Sequence, residues 1–100
     1  MKYNTALVVA TLALSGCSTQ SKFTEAGRQV RIISPAIAVS CEHLGMVAGW
    51  GPSLAGGLPY AQIDVRNKAA SKGGNALVLT SQVVNGSGHA EVLGDAYRCS

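Results

Sequence analysis

The sequence predicts a small α+β domain of order β-β-α-β-β, with one helix packed on a mainly antiparallel sheet and one disulfide. Three observations lead there. Apolar, β-branched runs at 30–33, 38–50, 76–84 and 89–99 flank a single helical segment between Pro59 and Lys72. The stretch Asn85-Gly-Ser-Gly88, between the last two runs, is a hairpin turn signal. Cys41 and Cys99 stand on the second and last runs, where a sheet can bring them together.

The elements follow in order. Residues 18–29 are small and polar and read as a short linker, with one helical turn around Thr24 to Gly27. Val30 to Ile33 begin the first strand, and Pro35 ends it or confines it to an edge. In the second run Leu44, Met46 and Ala48 alternate with Gly45, Val47 and Gly49, as in a largely buried strand. Gly51 to Pro59 is dense in glycine and proline and reads as a loop. Pro59 suits a helix start, and Lys72-Gly73-Gly74 a helix end, with a cation in the last turn and glycine beyond it. Ala61, Val65 and Ala69 line one side of that helix; Ile63, Asn67 and Ala70 line another. Ala76 to Val84 is rich in β-branched residues. His89 to Cys99 alternates, with Gly94 as a bulge position.

The first 21 residues have a different character. Lys2 is their one charge, and an apolar run extends from Ala6 to Leu14, interrupted by Thr11. A basic start, a short apolar core and small residues after it make a secretory signal. The run is too short to cross a bilayer, which takes about 20 apolar residues. Leu14-Ser-Gly-Cys17 resembles the bacterial lipobox. The thiol of Cys17 is then the lipid acceptor, and small Ser15 and Gly16 give the peptidase access to the bond before it. Two or three acyl chains, at about 0.8 kcal/mol per buried methylene, anchor a protein stably. Ser18 is not the aspartate that marks inner-membrane retention in such proteins, so the resemblance implies the outer membrane, with the domain facing the periplasm. The expected division is a removed signal at 1–16, a lipidated tether at 17–29 and a small domain at 30–100.

Composition limits the partners. Without Lys2, seven basic residues face five acidic ones, a net charge of about +2 that is too weak and scattered for nucleic acid. Arg66, Lys68 and Lys72 read as a solvated helix face. With lipid on Cys17, Cys41 and Cys99 remain, and an oxidising compartment joins an even pair. A small domain is marginal without such a staple.

Three spaced blocks carry a family likeness: Cys41-Glu-His-Leu-Gly-Met-Val-Ala-Gly49; Arg66-Asn-Lys-Ala-Ala70 with Gly73-Gly-Asn-Ala76; and Gly94-Asp-Ala-Tyr-Arg-Cys99. Together with the lipobox they resemble the small bacterial outer-membrane lipoproteins grouped as domain of unknown function 4156. More distantly, they are similar to the lipoprotein that senses envelope stress for the Rcs phosphorelay. That likeness implies a β-β-α-β-type domain with disulfides, and it supplies no catalytic residues.

Few residues offer chemistry. Cys41, His43, His89 and Cys99 have the elements of a zinc site but not the paired short spacing of one, so no metal is expected. Gly49-Trp-Gly51 lacks the third glycine of a dinucleotide loop, and no cofactor is expected. There is no Gly-x-Ser-x-Gly elbow and no carboxylate pair. Asn67 and Asn75 read as backbone-bonding residues. Trp50, where the second strand meets the loop, has two readings: a cap on the core edge, or an exposed contact for a partner. The expected function is that of a non-enzymatic envelope lipoprotein that works by binding another protein, such as one of the envelope, as a sensor, adaptor or structural accessory. The alternative is a small-ligand or peptidoglycan-binding module using the loop 51–59.

Overall fold

In a computed structural model, residues 22–100 are described; the expected signal and the lipid site Cys17 lie outside them. The elements are α1 (Glu25–Arg28), β1 (Arg31–Ile32), α2 (Pro35–Ala38), β2 (Glu42–Gly51), α3 (Leu58–Ser71), β3 (Ala76–Val84) and β4 (Ala90–Arg98). The sheet order is β1-β3-β4-β2. The β3–β4 hairpin and the β2–β4 pair are antiparallel, and β1 adds a two-residue parallel edge. The domain is therefore α+β, with one main helix on a four-stranded mixed sheet, as the sequence predicts.

Helix α3 forms where its end signals stand. Pro59 occupies its first turn, where a missing N–H costs nothing. At the other end Gly73 adopts a left-handed φ of 89°. There the Gly73 and Gly74 N–H groups donate to Ala70 O (2.8 Å) and Ala69 O (3.0 Å), closing a Schellman motif. Ala61, Val65 and Ala69 are the buried stripe, packed with Val30, Val47, Leu77, Val92 and Ala96. Small residues let the helix lie close. A Cβ at Gly49 would run into Ala61 O and lie 2.7 Å from Val65 N. A Cβ at Gly51 would meet Gly57 O, with Ala61 N at 2.8 Å. The bare backbone of β2 is the bed on which α3 rests.

Four expectations are corrected. Strand β2 is not largely buried: Val47, Gly49 and Gly51 face α3, whereas Met46, Ala48 and Trp50 are exposed on the opposite face. The alternation slips because the register shifts between His43 and Gly45, and Gly45 takes φ 131°. One extra residue puts Leu44, three before Val47, on the core side. Gly94 is not a bulge. It pairs regularly with Val47 and Leu79, and the second irregularity falls between Leu79 and Ser81. The first strand shrinks to Arg31–Ile32, and Pro35 opens α2, with Ser34 Oγ accepting from Ile37 N at 3.4 Å. The loop read at 51–59 is shorter than expected: Gly51 ends β2, residues 52–57 form the connection with a 3-10 turn at Ser53–Ala55, and α3 begins at Leu58.

The described part of the expected linker differs too. Residues 22–29 lie against α3, not free of it. Asn67 Oδ1 accepts from Thr24 N (3.0 Å), and its Nδ2 donates to Lys22 O (2.9 Å). Gly27 is buried under the same asparagine, and Phe23 lies 5.2 Å from the Arg66 guanidinium. Arg66 in turn donates to Val30 O through Nε and Nη2. Among the described residues no helix is long and apolar enough to cross a membrane.

Candidate functional site

The two ends of the sheet are built differently. At one end Cys41, just before β2, is bonded to Cys99, just after β4, with 4.6 Å between α-carbons. Adjacent antiparallel strands put these residues side by side, as the sequence predicts. Asn75 holds the same end: its Oδ1 accepts from Cys99 N and its Nδ2 donates to Cys99 O, both at 2.8 Å. Beside it His43 Nε2 lies 2.9 Å from Asp95 Oδ1, and its ring meets Tyr97 edge-on at 5.2 Å.

The four residues with zinc-site elements do not converge. Both thiols are consumed by the disulfide, and His43 is paired with Asp95. His89 lies at the other end of the sheet, about eight residues and roughly 25 Å along β4. Among the described residues no group of three His, Cys, Asp or Glu side chains is placed to hold a metal.

The opposite end is an apolar tip. Trp50 is 54% exposed, so the core-cap reading fails. Its indole stacks on the His89 ring with centroids 5.8 Å apart and planes 17° from parallel. His89 Nδ1 accepts the Ser53 N–H at 3.0 Å, which binds the 3-10 turn to the β3–β4 hairpin. Gly57 and Gly88 O are in close approach at the same joint. The turn presents Leu54 fully to solvent, and Val83 and Val84 are exposed on the hairpin arm. A shallow cavity of about 240 Å³ lies among Trp50, Val83, Asn85, His89 and Glu91. Asn85 makes the turn as its sequence context predicts, its Oδ1 accepting from Ser87 N and His89 N.

A smaller cavity, about 130 Å³, opens between α3 and the β3 edge, lined by Ile32, Gln62, Val65, Arg66 and Leu79. Sequence reasoning missed three connections: Asn67 clamping residues 22–24, Asp64 Oδ2 accepting the Trp50 main-chain N–H at 3.0 Å, and the Ser53–His89 bond. The first had a signal, since asparagine is a poor helix-interior residue unless its amide has a partner.

Fold and site together define a disulfide-braced α+β domain with an exposed aromatic tip. In sequence the chain is similar to the uncharacterized protein YjeI of Escherichia coli (strain K12), at 29% identity over 99% of this chain and 97% of the relative. The YjeI protein of Shigella flexneri is similar to the same extent. No family model matches the chain, and no solved structure matches it.

Proposed function

We propose that the chain is an exported lipoprotein of the kind grouped as domain of unknown function 4156, held at the outer membrane by lipid on Cys17. Its domain faces the periplasm and works without enzymatic activity, by docking another envelope protein. The carrying observation is the exposure of Trp50 at 54%, at the same end of the sheet as solvent-facing Leu54 and Val83. Large aromatics set in such patches dominate protein–protein contacts. The Cys41–Cys99 bond supports export, because such bonds persist in oxidising compartments.

Trp50→Ala tests the reading. Capture of the partner should weaken by about 1–2 kcal/mol, as for a hot-spot aromatic, with folding retained and the melting temperature lowered only by the loss of the His89 stack. Unchanged capture by a folded variant would move the contact surface elsewhere. The cavity beside Trp50, with Asn85 and Glu91 on its wall, favours a second reading, a peptidoglycan or small-ligand module. Titrating muropeptides into the protein while following indole emission distinguishes the two.

A further inference from the structure

We infer that the groove between α3 and the free edge of β3 takes the C-terminal end of another polypeptide. The last residue of that guest is valine or leucine, with its side chain in the cavity beside Leu79 and its carboxylate on Arg66. This site is apart from the Trp50 tip, and the inference does not rest on the docking reading.

Strand β1 covers only the start of β3. Ile33 N–H donates to Leu77 O at 2.9 Å, and the chain then turns into α2. Leu77 thus faces β1, and by the period of two Leu79 turns its N–H and C=O to the same outer side. Past the irregularity between Leu79 and Ser81 the pairing with β4 resumes, ending where Asn85 N–H donates to His89 O. Counting back from Asn85, Val83 and Ser81 face β4, whereas Val84 and Gln82 face outward. The outward groups of Leu79, Gln82 and Val84 have no hydrogen-bond partner among the described residues. From Leu79 to Val84 the edge reads Leu-Thr-Ser-Gln-Val-Val, with no charge or proline to blunt it. Gln62 of α3 bonds the Gln82 side chain at 2.7 Å on the helix side of the sheet, which leaves these main-chain groups open.

Beside this edge lies the cavity of about 130 Å³, floored by Ile32, Val65 and Leu79. A cavity of roughly 150 Å³ holds a benzene ring, so this one has room for a valine or leucine side chain. Arg66, on its wall, is half-buried and pairs with no carboxylate among the described residues. Its Nε and Nη2 both donate to Val30 O, which leaves the two hydrogens of Nη1 for a further acceptor. A carboxylate is the strongest partner for such a guanidinium. The end of a peptide chain carries main-chain bonding groups, an aliphatic side chain and a carboxylate within one residue. Strand addition with side-chain pockets, and capture of a terminal carboxylate, are both established modes of peptide recognition. Arg66 stands toward the β1 end of the groove and Gln62 toward the hairpin end, so the guest runs antiparallel to β3.

The test titrates the full-length chain, purified from its host, into a fluorescein-labelled pentapeptide, Thr-Thr-Val-Thr-Leu with a free carboxylate. Anisotropy reads binding, which should saturate. Amidating the carboxylate should weaken it about tenfold, and replacing the terminal leucine with glycine by at least as much. Methyl groups on alternate main-chain nitrogens of the peptide should abolish binding in one register and spare it in the other. Arg66→Gln, checked for folding by its melting curve, should bind acid and amide peptides alike; if it unfolds, amidation decides the charge. Failure to saturate at millimolar peptide, indifference to amidation, or methylation acting equally in both registers would overturn the inference. Competition by N-acetylleucine at the peptide's own concentration would also overturn it, leaving a small-molecule cavity without strand addition. So would a peptide-free dimer that excludes the peptide, since the groove would then hold a second copy.

Discussion

Asn75 grips Cys99 from both sides, accepting its N–H and donating to its C=O at 2.8 Å each. Its own main chain joins Tyr97 O and Arg31 N, at 3.0 and 3.1 Å, so one residue fastens β1 and the end of β4 to the turn after α3. Replacing it with alanine removes both side-chain bonds and should destabilise the domain by about 1–2 kcal/mol. Asn75→Asp keeps the acceptor and loses the donor, and should fall between. Urea denaturation of the oxidised protein measures the series.

The Cys41–Cys99 bond, 58 residues apart in sequence, closes a loop over most of the domain. A loop of that length restrains the unfolded chain by about 4 kcal/mol in the chain-entropy model. Urea midpoints with and without reductant should differ accordingly, and Cys41→Ser with Cys99→Ser should reproduce the reduced value.

Gly49→Ala should be strongly damaging for a single methyl. Its Cβ would meet Ala61 O and Val65 N on the α3 backbone, which cannot yield without lifting the helix. A loss of about 2–3 kcal/mol is expected by analogy with overpacked cores. Ala48→Gly, one position away on the exposed face, should cost less than about 1 kcal/mol. Thermal melts of the pair isolate helix contact from strand propensity.

Stacking of Trp50 on His89 should report on the tip. His89→Ala removes the stacked ring and the acceptor of the Ser53 N–H together. The indole emission should shift to the red as the ring becomes freely solvated. Because both residues lie on the surface, the loss of stability should stay near 0.5–1.5 kcal/mol. A large loss of folding would instead make the Ser53–His89 bond essential to the start of α3.

Cys17→Ala should abolish incorporation of radioactive palmitate and leave the precursor uncut. Gel mobility and label measured on the same sample test the proposed anchor, and undiminished label would exclude it.

Local signals placed the elements with sharp chemistry. Pro59 and Lys72-Gly73-Gly74 bounded α3 to within a residue, Asn85-Gly-Ser-Gly located the hairpin, and pairing the two cysteines located neighbouring strands. The readings that failed depended on geometry that no local pattern carries. The extra residue at Leu44–Gly45 inverts the in–out parity of β2, so a one-faced strand read as a two-faced one. The parallel pairing of β1 with β3 joins segments 45 residues apart. Residues 22–29 are plainly polar, yet they are fixed by Asn67; an asparagine inside a helix signals that its amide has a partner, but not that the partner is the main chain of Lys22 and Thr24. Trp50 was legible as a candidate but not as exposed, because its side depends on that same parity.

The Asn67 clamp gives the domain a mechanical character. Tension arriving through the chain before Lys22 acts first on the Asn67 bonds to Lys22 and Thr24, then on the two-residue β1. It stops at Cys41, where the disulfide passes the load directly to Cys99 and shields β2, α3, β3 and β4 from being unspooled. The stretch that force can pay out from the described chain is therefore residues 22–40. Fully drawn, that stretch is about 65 Å long at roughly 3.4 Å per residue, and the reach gained is this length less the span it already covers in the fold. That reserve of slack is held by bonds at the start of the described chain, and its release leaves the tip around Trp50 unaltered.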